Sequence, residues 1–407
     1  MRRFLVLGPV VALLVSPAVG CLRAAAWRGD PTTAPGDRAA HAEGEQAVDL
    51  DVPPPSSLRP CCAFGDEHHV EIGSVPVPGV ELENVVSVPD LGQHQYDNGA
   101  SPWGSDDERP VYASEQNGLL YTCRGGFIDT AHVRDYADWT VFVAAQVGPR
   151  LASGGELALP DEGGRRLVRV GAVPGDAVAR IGGRRLLTAL AQWTAFQLSV
   201  WHEIATWYGW SSSSVFPETA SAFSPEDLYS NLLGVTIAGQ ILRAEHAGSE
   251  ADYNESVDVW LRSTLEWLGV VSPETTRAIL DALDGRWWDS TRRLPEKELV
   301  VRRNVDLAMP LAPWRLPARV GPEPLRLELA RRCSSGARVE RLALPGTLGG
   351  LRIADVVTLV VRPEDAVAER LPVARPGGEI TQADFPAIAE AIRAEIVAEF
   401  GPGATTP

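Results

Sequence analysis

Leu186-Leu187-Thr188-Ala189-Leu190-Ala191-Gln192-Trp193-Thr194-Ala195-Phe196-Gln197-Leu198-Ser199-Val200-Trp201-His202-Glu203-Ile204-Ala205-Thr206-Trp207-Tyr208-Gly209-Trp210 contains no proline, and its one glycine comes near its end. Leu190, Trp193, Phe196, Leu198, Val200, Trp201, Ile204 and Trp207 recur at helical steps and cover nearly the whole circumference. A helix apolar on every side belongs in the middle of a core, not on its surface. The remaining elements are therefore expected to pack around residues 186–210.

Upstream, Ile128, Val133, Trp139, Val141, Phe142 and Ala145 form an apolar stripe that predicts a helix over 129–147. Glu156-Leu157-Ala158-Leu159 and Arg166-Leu167-Val168-Arg169-Val170 alternate around Pro160-Asp161-Glu162-Gly163-Gly164 and read as a hairpin. Downstream, Ser224-Pro225-Glu226-Asp227 has an N-cap serine, Pro at N1 and acids in the first turn, which predicts a helix over 224–242. Further helices are expected over 257–268 and 273–283, and a last one over 381–400. Residues 58–118 read as loops and brief strands. The tail after residue 311, with Leu342-Ala343-Leu344 and Val356-Val357-Thr358-Leu359-Val360-Val361, reads as a strand-rich extension ending in that helix. The expected class is α+β, mainly α: packed helices with a small sheet. The expected organisation is 1–20 signal peptide, 21–57 tether, 58–311 main helical domain and 312–407 extension.

Arg2 and Arg3 precede an apolar run from Phe4 to Val15 and the small residues Pro17-Ala18-Val19-Gly20 before Cys21. That is the layout of a signal peptide. The run is about a dozen residues, whereas a helix crossing the bilayer needs about 20. Ala18-Val19-Gly20-Cys21 resembles the lipobox, which makes Cys21 the expected lipidation site and a membrane the expected partner through its anchor. Leu22, standing where an Asp would favour the inner membrane, points to the outer membrane if the envelope is Gram-negative. Residues 22–57, rich in Ala, Gly, Pro and acids and ending in Pro53-Pro54-Pro55-Ser56-Ser57, read as a flexible tether.

The 407 residues allow one large domain or two smaller ones. A formal net charge of -16 repels phosphate backbones, so nucleic acid is not an expected partner. Besides Cys21 the chain holds Cys61, Cys62, Cys123 and Cys333, an even set suited to disulfides in an oxidising compartment. Neighbours Cys61 and Cys62 rarely pair with each other, which makes Cys123 and Cys333 their candidate partners.

Chemistry concentrates on two helices. His202 and Glu203 lie in apolar surroundings, where an imidazole and a carboxylate need compensation. A divalent metal ion such as zinc supplies it, with His202 ligating and Glu203 either ligating or acting as general base. His202-Glu203-Ile204-Ala205-Thr206 is similar to the start of the zincin motif, but Thr206 stands where the second histidine belongs. On the other helix Asp129 and His132 are three apart, as are His132 and Asp135, and each pair shares a face. Asp129 and His132 facing His202 and Glu203 would make a bundle-type metal site, with Glu218 as the nearest extra carboxylate. Ser224, Glu226 and Asp227 are fully explained as a helix cap and are left out of the site. His68, His69 and His94 are spare ligands in loop-like sequence. The bland alternative is a hydrogen-bonded network of core histidines with no metal. The twelve Trp either fill the core or line a groove.

Tyr121-Thr122-Cys123-Arg124, Gly126-Phe127-Ile128-Asp129, His132-Val133-Arg134, Trp201-His202-Glu203 and Thr206-Trp207-Tyr208-Gly209 form one set of blocks. Ser221-Ala222-Phe223-Ser224, Glu226-Asp227, Tyr229-Ser230-Asn231 and Gly234 form another. Together, over about 60–311, they resemble an uncharacterised bacterial lipoprotein family, domain of unknown function 4056. The resemblance implies an envelope lipoprotein and carries no activity.

Three functions follow from these residues. The first is a metal-dependent hydrolase of an envelope polymer, lipid or peptide, with Glu203 as catalytic base and Asp129, His132, His202 or Glu218 as ligands. The second is a non-catalytic envelope component that binds a partner or small molecule through its aromatic helices. The third is a thiol hydrolase or acyltransferase using Cys123, with His132 or His202 as base and Gly125-Gly126 offering N–H groups to an oxyanion.

Overall fold

The structure, a computed structural model, describes residues 50–55, 58–59, 63–73, 75–98, 115–211, 218–333, 338–373 and 378–407. The expected signal peptide, Cys21, most of the expected tether, Cys61 and Cys62 lie outside the described residues.

The core is three helices in mutual contact: α1 (Thr130–Val147), α3 (Gly183–Trp207) and α4 (Asp227–Arg243), with the short α2 (Gly175–Ile181) leading into α3. From Leu186 to Trp207 every residue of α3 except Trp193 is buried, as an all-round apolar helix requires. Asp129 caps α1, its side chain accepting from the Ala131 N–H at 2.7 Å. At Gly234 in α4, a Cβ would stand 2.1 Å from the carbonyl oxygen of Val133, so only glycine lets α4 lie this close to α1. α5 (Glu250–Leu268) covers α4. It starts seven residues before the expected 257, capped by Ser249.

Two antiparallel hairpins precede α1: β1 (His68–Ile72) with β2 (Val75–Leu82), and β3 (Leu119–Thr122) with β4 (Gly126–Asp129). β4 runs directly into α1. The predicted hairpin is β5 (Gly155–Leu159) with β6 (Gly164–Val170), in register from Gly155↔Val170 to Leu159↔Arg166.

The tail is not a separate extension. β7 (Val357–Pro363) pairs along all of β6, from Val170↔Val357 to Gly164↔Pro363, and β8 (Ile380–Thr381) closes the antiparallel sheet β8-β7-β6-β5. The last helix, Phe385–Phe400, packs on α3, with Phe385 stacked on Trp201 at 6.1 Å. Sequence could not show this, because the partner of β7 is almost 200 residues away. The tail is also less strand-rich than expected, since Glu323–Arg332 is helical. The fold is α+β, mainly α, and among the described residues no helix is long and apolar enough to cross a membrane.

The tether reading needs correction at its end. Leu50 and Val52 are buried in the main core, and the Tyr96 hydroxyl donates to the Pro53 carbonyl at 2.6 Å. Arg59 is buried and ion-paired to Glu115, Asp135 and Asp138. The cysteine pairing also differs: Cys123 is bonded to Cys333, with Cα atoms 5.1 Å apart, not to Cys61 or Cys62. The bridge lies in a second apolar cluster built from Phe64, Tyr121, Phe127, Trp287 and Trp314 around α6 (Pro273–Leu283).

Candidate metal centre

His132 sits in the first turn of α1, Glu203 one turn from the end of α3, and Asp227 opens α4. These helices bring a ligand atom from each residue to within 4.8 Å of one another, and all three side chains are buried. His132 Nδ1 is 3.4 Å from Asp227 Oδ1. His132 Nδ1, Glu203 Oε1 and Asp227 Oδ1 have no hydrogen-bond partner. Leaving such atoms unpartnered in a core costs about 1–3 kcal/mol each, more if charged.

The second oxygens are held from behind. Glu203 Oε2 accepts from the Phe223 N–H at 2.7 Å, and Asp227 Oδ2 accepts from the Ser224 N–H at 2.6 Å. Phe223 has φ +55°, a left-handed conformation that a bulky residue adopts only at a cost. Buried Arg303 fixes this loop, donating to the carbonyls of Ala220 at 3.2 Å and of Ala222, while Asn304 N–H donates to the Phe223 carbonyl at 2.8 Å. The loop thus holds one oxygen of each carboxylate and leaves the other without a hydrogen bond.

Burial, then the neighbouring His202, pushes the His132 imidazole down to about 3, so it is neutral and able to ligate. Burial also raises Glu203, and it raises Asp227 strongly together with the charges of Glu203, Glu226 and Asp129. A cation among them would reverse that repulsion.

His202 takes another part. Its ring is perpendicular to that of His132 with centroids 6.4 Å apart, inside the separation shared ligation demands. Yet His202 is not in the clustered group: its Nδ1 lies 2.7 Å from Glu162 Oε1. Glu162 comes from the β5–β6 turn, docked onto α3 by the Trp201 indole N–H donating to the Glu162 carbonyl at 2.8 Å. The other Glu162 oxygen pairs with buried Arg166. Glu162 and Trp210, which flank His202, also line a cavity of about 170 Å³ with Tyr136, Trp139 and Arg166.

Of the predicted ligands, His132 and Glu203 join the group and Asp129 lies beside it as the α1 cap. Glu218 does not: it sits half-buried in the loop before α4, where its carbonyl accepts from Ser221. Asp227 takes that place. It had a complete explanation as a capping acid, but α4 begins at Asp227 itself, and Glu226 at the N-cap makes no side-chain capping bond. Glu162 was read only as a turn residue; nothing local marks it. Asp135, expected to share the His132 face, bonds Arg59 at 2.8 Å. His94 lies 2.9 Å from Asp138 and His68 lies 2.8 Å from the Ala63 carbonyl, so neither is a ligand here. Trp201, Trp207 and Trp287 fill the core, while Trp139 and Trp210 line the cavity. The disulfide leaves Cys123 no thiol for nucleophilic chemistry.

The fold and site define an α+β protein with a buried imidazole–carboxylate cluster where three core helices meet. The chain belongs to the family described as "Protein of unknown function (DUF4056)", whose model matches residues 50–317. No curated protein and no solved structure matches the chain.

Proposed function

We propose that this protein is an exported, lipid-anchored, metal-dependent hydrolase of the cell envelope, its cation held by His132, Glu203 and Asp227. The observation that carries the reading is the convergence of three buried, unpartnered ligand atoms from three helices. One imidazole and two carboxylates fit a borderline divalent cation such as zinc or manganese. A cation there would supply Lewis acidity, and it would satisfy the atoms the fold leaves bare.

Glu203 then serves as a ligand, and His202 is the better general base. Glu162 fixes its Nδ1, which leaves Nε2 to take or give a proton beside the cavity. A cavity of about 170 Å³ is below the usual size for a drug-like ligand, so it admits one small group of a larger substrate. The signal sequence and Cys21 support placement in the envelope, with a membrane as partner through the lipid.

Metal analysis of the mature chain purified from metal-replete medium tests the centre. The expected result is bound transition metal that is lost in His132→Ala and Asp227→Asn. Metal-free wild type, or full retention in both variants, overturns it. The hydrolase assignment predicts that His202→Ala keeps its metal and loses hydrolysis of ester, amide or glycan substrates. Metal-loaded wild type inert toward all three classes would favour a binding role. Labelled palmitate should enter the wild type and not Cys21→Ser.

A further inference from the structure

We propose that the centre takes a second divalent cation, held by Glu226, Asn231 and Asp129 and sharing a carboxylate of the first. This rests on the reading of His132, Glu203 and Asp227 as the first site.

Asp129, Glu203, Glu226 and Asp227 are 1%, 1%, 2% and 0% exposed, so all four carboxylates are dry. Glu226 adjoins Asp227 in sequence and feels the charges of both Asp129 and Glu203. Neither of its oxygens has a hydrogen-bond partner, and it does not cap α4. The explanation that made Glu226 uninteresting in the sequence is therefore absent in the fold.

Asn231 is an independent sign. It is an uncharged amide one turn beyond Asp227 on the same face of α4, and it is 0% exposed. Its side chain reaches Glu203 and favours the ionised carboxylate there, but neither Oδ1 nor Nδ2 makes a hydrogen bond of full geometry. A buried amide so weakly satisfied is uncommon in a finished core, and its carbonyl oxygen is a good ligand for a hard cation.

Arg303 acts on Asp227 and Glu203 from nearby, but its guanidinium N–H groups go to the carbonyls of Ala220, Ala222 and Lys297, so it donates to neither carboxylate. The first position has a nitrogen ligand; the second has oxygen donors only, which selects a hard cation such as Mn²⁺ or Mg²⁺.

The test loads the mature chain with Mn²⁺, removes free ion by gel filtration, and measures stoichiometry together with the electron paramagnetic resonance spectrum. Wild type should carry two equivalents with the signature of a coupled pair. Glu226→Gln and Asn231→Ala should each retain one equivalent with the six-line spectrum of an isolated ion. Wild type with a single isolated ion overturns the second site and leaves the first standing, whereas wild type with no ion overturns both. Two equivalents persisting in Glu226→Gln and Asn231→Ala overturn the assignment to these residues. Should either variant fail to fold, the wild-type spectrum decides alone: a coupled signal supports the pair and an isolated one rejects it.

Discussion

Gly234 of α4 rests on the carbonyl of Val133 in α1, with room for a hydrogen and none for a methyl group. Val133 follows His132, and Gly234 lies two turns after Asp227 on the helix that opens with it, so this contact sets the spacing of two candidate ligands. Gly234→Ala must push the helices apart. The expected cost is about 1–3 kcal/mol of stability, as for other overpacked cores, together with weaker metal retention. Urea denaturation and metal titration measure the two; a variant unchanged in both would show that the contact does not position the site.

Glu162 and Arg166 test the His202 support. Burial lowers the Arg166 guanidinium to about 10, and Glu162 is its carboxylate partner. Glu162→Ala leaves that charge buried without its counterion, which should cost about 3–5 kcal/mol. Metal stoichiometry should be unchanged, because Glu162 touches His202 and not the clustered ligands. Loss of metal in a folded Glu162→Ala protein would argue that His202 is itself a ligand.

The Cys123–Cys333 bond spans 210 residues and ties the end of the Glu323–Arg332 helix to the β3–β4 turn, which leads straight into Asp129. Cys333→Ser should lower stability by about 2–4 kcal/mol, mostly by freeing the unfolded chain. Peptide mapping without reductant should recover the linked pair. A fully reduced, equally stable protein would contradict this.

Away from the candidate metal centre, pH dependence should come from the buried network around Arg59. His94 faces Asp138, Glu115, Arg59, Asp258 and Tyr253. Burial opposes its charged form, but Asp138 and Glu115 overcome that and raise it. Burial raises Asp135 to about 7 even against Arg59. Both groups hold protons more tightly when folded, so their contribution is full at low pH and is lost as pH rises, through about 7 for Asp135 and higher than the usual histidine range for His94. Glu115 and Asp138 run the other way. Burial opposes their ionisation, but Arg59 and His94 outweigh it and lower both, so their contribution exists above the ordinary carboxylate range and is lost on acidification. Melting temperature against pH should therefore peak on the mildly acidic side. His94→Gln should flatten the alkaline limb; an unaltered limb would exclude His94 as its source.

Much of the site was legible because it obeys local rules. His132 and Glu203 stood out as polar groups on apolar helices, whereas Asp129, read as a ligand beside His132, is the cap of α1. Asp227 and Glu226 were hidden by a competing local explanation, since acids after Ser-Pro are what a helix start requires on its own account. Glu162 was hidden for the opposite reason: a Glu in a Gly-rich turn carries no pattern, and its meaning comes from a partner 40 residues away.

The sequence by itself determined the helices α1, α3, α4 and α6 and the last one, the β5–β6 hairpin and the buried status of α3, because side-chain periodicity and backbone preference act within a few residues. Only the tertiary structure decided that β7 completes the sheet, that Cys123 meets Cys333, that Leu50 and Val52 belong to the core, and that Asp227 rather than Glu218 joins His132 and Glu203. Those are contacts between surfaces far apart along the chain. Shape, close approach and the burial of charge select them, and none of these leaves a periodic mark in the order of the residues.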